Sequence, residues 1–165
     1  MSSKTEKNLK DAFAGESQAN RKYLAFAKKA EEEGYTGAAK LFRAAAEAET
    51  IHAHSHLKVL GGIDSTAENL KAAFEGESYE FDEMYPKFIQ EARAEGNEVA
   101  VRSFRYASEA EKGHAELYKK ALAELTEKPF VNYYLCPVCG HIELGNPPEK
   151  CPICGAPANK FRLVE

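Results

Sequence analysis

KLFRAAAEAETIH, from Lys40 to His52, and RSFRYASEAEKGH, from Arg102 to His114, are one pattern written twice. Phe, Arg, Ala, Glu, Ala, Glu and His recur at the same relative places. Each copy ends in Glu-x-x-His: Glu49 with His52, and Glu111 with His114. On a helix, residues three apart share a face, so the carboxylate and imidazole of each copy can reach one metal ion. The remainder of the chain reads as support and wiring for this pair.

Outward from the two copies, apolar residues keep the helical period. Leu9, Phe13, Tyr23 and Ala27 stripe a helix from about Thr5 to Gly34, with two polar residues, Glu16 and Asn20, on the same stripe. A second helix runs from Tyr35-Thr36 to Leu60 and ends at Gly61-Gly62. After the linker GGIDST a third spans about Ala67 to Glu95, striped by Leu70, Ala73, Glu77, Glu80, Met84 and Phe88. Pro86 should kink it, because proline removes a backbone donor and clashes with the preceding turn. A fourth helix runs from about Glu98 to Thr126 through Phe104, Ala107, Glu111, His114, Tyr118 and Leu122. Four such helices with short links predict a mainly α four-helix bundle, whose second link is long enough for a crossover; the ferritin-like form of it is what the ligand pattern below resembles.

The repeat extends beyond the two copies. Phe-Ala-Gly-Glu16-Ser matches Phe-Glu-Gly-Glu77-Ser at an offset of 61, whereas the Glu-x-x-His copies match at 62. An internal duplication with an approximate two-fold axis follows, and a site on that axis receives Glu16 and Glu77 from the first helix of each half. Glu31, Glu32, Glu33 and Glu47 read as a solvated surface, and Glu109 repeats Glu47 off the stripe. Glu16, Glu49, Glu77, Glu80 and Glu111 differ: they place five carboxylates on apolar stripes, and a buried, unpaired carboxylate is strongly disfavoured. Two divalent cations balance most of that charge and use both histidines. Oxygen ligands with one nitrogen per metal suit iron or manganese. Glu80 breaks the symmetry, since Ala19 is its counterpart, and an extra carboxylate on one side can let one metal exchange ligands.

Other polar residues give weaker signals. His56, four residues after His52, reads as a hydrogen-bonding neighbour of the ligands, with a further ligand as the alternative, and His54 as solvent-facing. Tyr23 and Tyr85 can donate to ligand carboxylates. Gly15 and Gly76 each cost about 1 kcal/mol inside a helix, so their repetition implies a close helix contact beside the ligands.

After Glu127-Lys128-Pro129 the composition turns β-branched and aromatic, which divides the chain into residues 1–128 and 129–165. Cys136-Pro-Val-Cys139-Gly and Cys151-Pro-Ile-Cys154-Gly are two copies of one knuckle. Such a short tail cannot bury a self-sufficient core, so metal binding must supply much of its folding energy. Tyr133–Leu135 and Phe161–Val164 should pair as short strands. Four thiolates suit zinc or a single iron; beside a di-iron site, redox iron is the reading adopted, with zinc as a substitute.

The chain has 165 residues, 44% of them hydrophobic, and a net charge of -4. The acidic balance argues against nucleic acid or an anionic membrane surface as general partners. No stretch approaches the ~18 apolar residues of a membrane helix, and the polar opening MSSKTEKNLK is not a signal peptide. The expected location is cytoplasmic, and cysteines confined to the tail fit metal ligation better than disulfides.

With these motifs together, the sequence resembles the rubrerythrins over nearly its full length. The resemblance rests on Phe-Ala-Gly-Glu16-Ser, Glu49-x-x-His52, Gly-Glu77-x-x-Glu80 followed by Met84-Tyr85-Pro86, Glu111-x-x-His114 and the two Cys-Pro-x-Cys-Gly knuckles. It implies that Glu16, Glu49, His52, Glu77, Glu80, Glu111 and His114 carry two non-haem irons. It likewise implies that Cys136, Cys139, Cys151 and Cys154 carry a rubredoxin-type iron. By the same resemblance the metal near His52 exchanges His52 for Glu80 on oxidation, and Tyr23 and Tyr85 donate hydrogen bonds to the ligands. The implied activity is a peroxidase that reduces hydrogen peroxide to water, with electrons from a rubredoxin or NAD(P)H reductase chain. The alternative is a ferritin-like iron oxidase and store with a zinc-ribbon tail. The resemblance also implies a homodimer, helix-swapped in compact members with GGIDST as the hinge. A head-to-tail pairing would shorten a tail-to-centre path expected to be too long within one subunit. Gly113, where bulkier residues are common, leaves ligand access there open.

Overall fold

The computed structural model describes residues 3–127 and 131–164. The expected class is found: long helices, then a small β tail. The chain divides into two compact units, one ending at Asp64 and one beginning at Ser65. The anticipated boundary between residues 128 and 129 lies outside the described residues.

The first unit is a helix pair, α1 (Lys4–Glu32) and α2 (Thr36–Val59). The Ser3 hydroxyl accepts from the Glu6 N–H at 3.0 Å and satisfies one of the free donors at the start of α1. The chain turns at Gly34, whose φ of 83° is a left-handed conformation that glycine adopts without a Cβ penalty. Between the helices the buried residues are small: Ala27 and Ala30 from α1, and Ala39, Ala46 and Ala53 from α2. Small side chains let helix axes approach closely, which brings groups beside the seam within reach of each other.

The second unit contains α3 (Thr66–Tyr79), a π-helical turn (Glu80–Met84), α4 (Tyr85–Ala94) and α5 (Glu98–Ala123). The tail follows as β1 (Tyr133–Leu135), β2 (Ile142–Leu144) and β3 (Arg162–Leu163), in the order β2-β1-β3 with antiparallel neighbours. The pairing of Tyr134 with Leu163 and of Leu135 with Arg162 is the one expected. Strand β2 was not anticipated; its three residues are too few to show a period.

The duplication survives in packing. Tyr23, Phe26 and Phe42 form one aromatic cluster, with centroids 5.6 to 6.4 Å apart. Tyr85, Phe88 and Phe104 form another at 5.6 to 6.3 Å, and each residue is offset by 62 from its counterpart. The change of offset from 61 at Glu77 to 62 at Tyr85 means that the second half has one extra residue between them. The π turn lies in that interval, and its wider i→i+5 bonding accommodates an inserted residue while the helix continues. This corrects the expectation of one long helix kinked at Pro86. The irregularity precedes the proline, which falls in the first turn of α4, where a missing N–H costs little.

Gly15 and Gly76 require a second correction. Among the described residues of its own unit, a Cβ built on either would meet nothing within 4 Å, so neither glycine makes a close helix contact there. Gly15→Ala is therefore expected to raise the stability of the metal-free protein by about 0.5–1 kcal/mol, the usual gain of alanine over glycine in a helix. Lower stability in a urea titration would instead mean that another surface closes on this position. No described helix is long and apolar enough to cross a membrane.

Candidate metal centres

In the first unit, Glu16 from α1 and Glu49 and His52 from α2 present ligand atoms within 4.8 Å of one another. His52 Nδ1 lies 3.1 Å from Glu49 Oε2. A hydrogen bond between the two carboxyl groups raises Glu16 above the usual carboxylate range and lowers Glu49, which also bonds His52. Two carboxylates this close favour sharing a proton or a cation. The charge of His56 reaches Glu16, although His56 gives no ligand atom to the cluster. His54 is exposed on the lining of an outer groove. Tyr23 packs on Phe26 and Phe42.

In the second unit, Glu77 from α3 and Glu111 and His114 from α5 form the equivalent triad. His114 Nδ1 lies 2.7 Å from Glu111 Oε2 and 3.7 Å from Glu77 Oε2. Burial, then the hydrogen bond and charge of Glu111, push Glu77 up to about 7. Glu111 is held low, chiefly by His114. Burial opposes protonation of His114, but its bonds to Glu111 and to the Gly140 carbonyl outweigh that and raise it. Glu80, on the π turn, is raised by burial and then by the charge of Glu111, so it stands beside the triad but outside its ligand-distance group. Tyr85 is raised by burial and by the charges of Glu80, Glu111 and Glu77, which places its hydroxyl near these carboxylates.

These shifts carry a sign for the metal-free protein. Glu77 and His114 both bind protons more tightly folded than unfolded, so each stabilises the fold at low pH and loses that contribution as pH rises. Glu77 loses it between its ordinary value of 4.5 and about 7, and His114 above 6.5. Chelator-treated protein is expected to melt at a lower temperature at pH 8 than at pH 5.5. A bound divalent metal should reverse the trend, because it competes with those protons. Melts that rise with pH in the metal-free protein would contradict the assignment.

The tail gathers Cys136, Cys139, Cys151 and Cys154 into one group. Sγ atoms lie 3.7 Å apart for Cys136 and Cys154 and 3.5 Å apart for Cys139 and Cys151. Four sulfurs at metal–sulfur bonds of about 2.3 Å in a tetrahedron stand about 3.8 Å apart, so the cluster fits a single tetrahedral ion. Burial pushes the Cys139 thiol well up, although the His141 N–H donates to it. Burial also opposes the Cys151 thiolate, but the N–H groups of Cys154 and Ile153 hold it below the ordinary thiol range. Burial leaves Cys154 raised despite the Ala156 N–H. Amides turned toward sulfur are the environment that a metal-bound thiolate needs.

The tail and the second triad touch within this one unit. His114 Nε2–H donates to the Gly140 carbonyl at 2.9 Å. Gly140 follows Cys139, and the bond fixes a proton on Nε2, so that loss of the Nδ1 proton shared with Glu111 would turn the Nδ1 lone pair toward Glu77 and Glu111, the tautomer that a metal ligand requires. This overturns the expectation that tail and centre are too far apart within one subunit, at least for the second triad. Gly113, expected to leave access open, sits instead beneath the tail: a Cβ there would come 3.9 Å from His141 Nδ1.

Two contributors escaped the sequence reading. Gly140 acts through a carbonyl, which residue type does not encode. Tyr118 was read as packing, yet burial and the charges of Glu77 and Glu111 raise it; its place seven residues after Glu111, as Tyr23 follows Glu16, was the available signal.

Paired Glu/Glu/His groups on helices and a four-cysteine tail define a metalloprotein of the ferritin-like helical class with an attached rubredoxin-like module. The model of the Rubrerythrin family matches residues 7–122, and that of the rubrerythrin rubredoxin-like domain matches residues 134–162. The chain belongs to the rubrerythrin family. It is 41% identical to nigerythrin of Nitratidesulfovibrio vulgaris, over 95% of this chain and 85% of the relative. It is 39% identical to a putative rubrerythrin of Methanocaldococcus jannaschii, over 96% and 92%. A solved structure of nigerythrin in its fully reduced, all-ferrous state aligns over 99% of this chain and 88% of that one, with a TM-score of 0.60 and 40% identity.

Proposed function

We propose that this protein is a peroxidase that reduces hydrogen peroxide to water, taking up two electrons and two protons per molecule. The observation that carries the reading is the bond from His114 Nε2 to the Gly140 carbonyl, which ties a carboxylate–histidine group to a cysteine knuckle. In this reading Glu16, Glu49, His52, Glu77, Glu80, Glu111 and His114 hold two non-haem irons, and Cys136, Cys139, Cys151 and Cys154 hold a third. The iron pair, when bound, supplies the two electrons that cleave the O–O bond, and the tail iron is the one-electron carrier.

The chain's own residues do the rest. Glu77 and Glu111 would offer their carboxylates to the pair from the second unit, and Glu16 and Glu49 from the first. Glu80 is the spare carboxylate, set on a π turn where helix geometry is most easily adjusted. Tyr85 and Tyr118 keep their protons beside the carboxylates, so each can donate a hydrogen bond; Tyr23 takes the equivalent place in the first half. His114 is oriented by the tail, and its bond to Gly140, next to Cys139, would be the covalent and hydrogen-bonded link between the tail ion and the helical pair when both are bound. The external donor is of the rubredoxin or NAD(P)H reductase type. In this reading the first triad is completed in a cytoplasmic homodimer, helix-swapped about GGIDST. The functional division falls at 128/129.

Anaerobic protein is expected to carry about three irons per chain, two in the helices and one in the tail. It should show the red absorbance of iron held by four thiolates and be reoxidised at least tenfold faster by peroxide than by oxygen. Zinc in the tail together with fast oxygen-linked iron uptake would sink this reading in favour of iron storage.

A further inference from the structure

Asn20 is a buried polar residue, 8% exposed, on the apolar face of α1. It lies one turn beyond Glu16. Its Nδ2 donates to the Ala46 carbonyl at 2.7 Å and to Thr50 Oγ1 at 2.8 Å, and Thr50 in turn donates to the same carbonyl at 3.1 Å. Its Oδ1 is buried without a hydrogen-bond partner among the described residues. An apolar side chain would fill this place without stranding an oxygen, so packing alone does not account for an asparagine. What the asparagine adds is a two-point bond across the seam, next in sequence to Glu49.

The second half has no equivalent. Thr50 corresponds to Lys112, Ala46 to Ser108, and the Asn20 position falls within the π turn, at Phe81 and Asp82. The duplication therefore departs from symmetry twice at one level. One half carries a cross-helix bond, and the other carries an inserted residue and the spare carboxylate Glu80.

We propose that Asn20 and Thr50 form a latch that sets the register of α1 on α2, so that Glu16 stands opposite Glu49 before any metal arrives. The latch fixes the carboxylate pair of the first triad and leaves the exchange of His52 for Glu80 to those two side chains. Asn20 and Thr50 are positioning residues; neither touches the metal. The inference rests on the reading of these triads as a two-metal site.

The test uses the full chain with iron in the tail and metal-free triads, titrated anaerobically with Co²⁺ and followed by visible absorption. The parent should bind two Co²⁺. Asn20→Leu should weaken one of them at least tenfold and change its spectrum, with helical circular dichroism and the tail absorbance unchanged. Loss of an outer partner typically costs 10–100-fold in affinity. Thr50→Val should weaken the same ion by a smaller factor, and Thr50→Ser, which keeps the hydroxyl, should behave as the parent. If Asn20→Leu does not fold, the Thr50 pair decides the question. Parental affinity and spectrum in Asn20→Leu, or in Thr50→Val where that variant decides, would overturn the latch. A parent that binds no Co²⁺ at the triads overturns both latch and centre, whereas one that binds two but does not turn over peroxide overturns only the peroxidase reading.

Discussion

Cys136→Ser is expected to abolish the red absorbance, unfold the tail and lower donor-linked peroxide turnover at least 100-fold, while the helices stay folded. Cys136 is fully buried. Its N–H donates to the His141 carbonyl and its own carbonyl accepts from Gly140 N–H, so the residue anchors the loop as well as the metal. A tail this small depends on its ion, and structural metal sites of this size contribute about 10–16 kcal/mol of folding free energy. Losing one of four thiolates removes most of that. With the tail goes the Gly140 carbonyl that holds His114. Chemically reduced variant should still consume peroxide for a single round, since every helical ligand side chain is still present and only the hold on His114 is lost. Stopped-flow measurements separate the two regimes, and steady-state turnover at the parental rate would refute the relay.

Glu111→Ala is expected to have the second large effect. Glu111 is the hub of its triad: it bonds His114 at 2.7 Å, shares a hydrogen bond with Glu77 and places its charge on Glu80, Tyr85 and Tyr118. Its loss should remove one of the two helical irons and lower peroxide turnover by at least 100-fold, since even outer partners of a metal are worth 10–100-fold in affinity or activity. The tail absorbance should persist. Glu77, relieved of its carboxylate neighbour, should titrate below about 7, and NMR of the metal-free variant would show this directly. Glu109→Ala, which alters a repeated but exposed glutamate, is the control. Full iron loading of Glu111→Ala would remove the ligand assignment.

The fold class and the grouping of the triads were legible because both follow from local period. Glu49 and His52 are three apart, as are Glu111 and His114, and a helix alone makes them neighbours. The knuckles were legible for the same reason, since their cysteines are also three apart. The change of offset from 61 to 62 was visible as well, but its meaning was not. An inserted residue can become a loop, a kink or a π turn, and only the hydrogen bonding around Glu80–Met84 distinguishes them. Glycine was misread twice. Gly15 and Gly76 repeat without a close neighbour, while Gly113 lies beneath His141. A missing side chain records freedom or contact, and spacing does not say which.

What the sequence determined by itself about this protein is the duplicated helical frame, the residues on its inner stripes and the four-cysteine tail, because each is a short-range periodic pattern. What only the tertiary structure decided is where the two halves differ. The tail lies against α5 in its own unit, Gly140 orients His114, and the π turn belongs to the half that lacks the Asn20 bond. These depend on a backbone carbonyl, an inserted residue and a bond between residues 26 and 30 positions apart. None of the three has a period, so none announces itself along the chain. The repeated Glu-x-x-His segments first read as equal; folding leaves His114 half-buried and bound to the tail, and ties the other segment across its seam to Asn20.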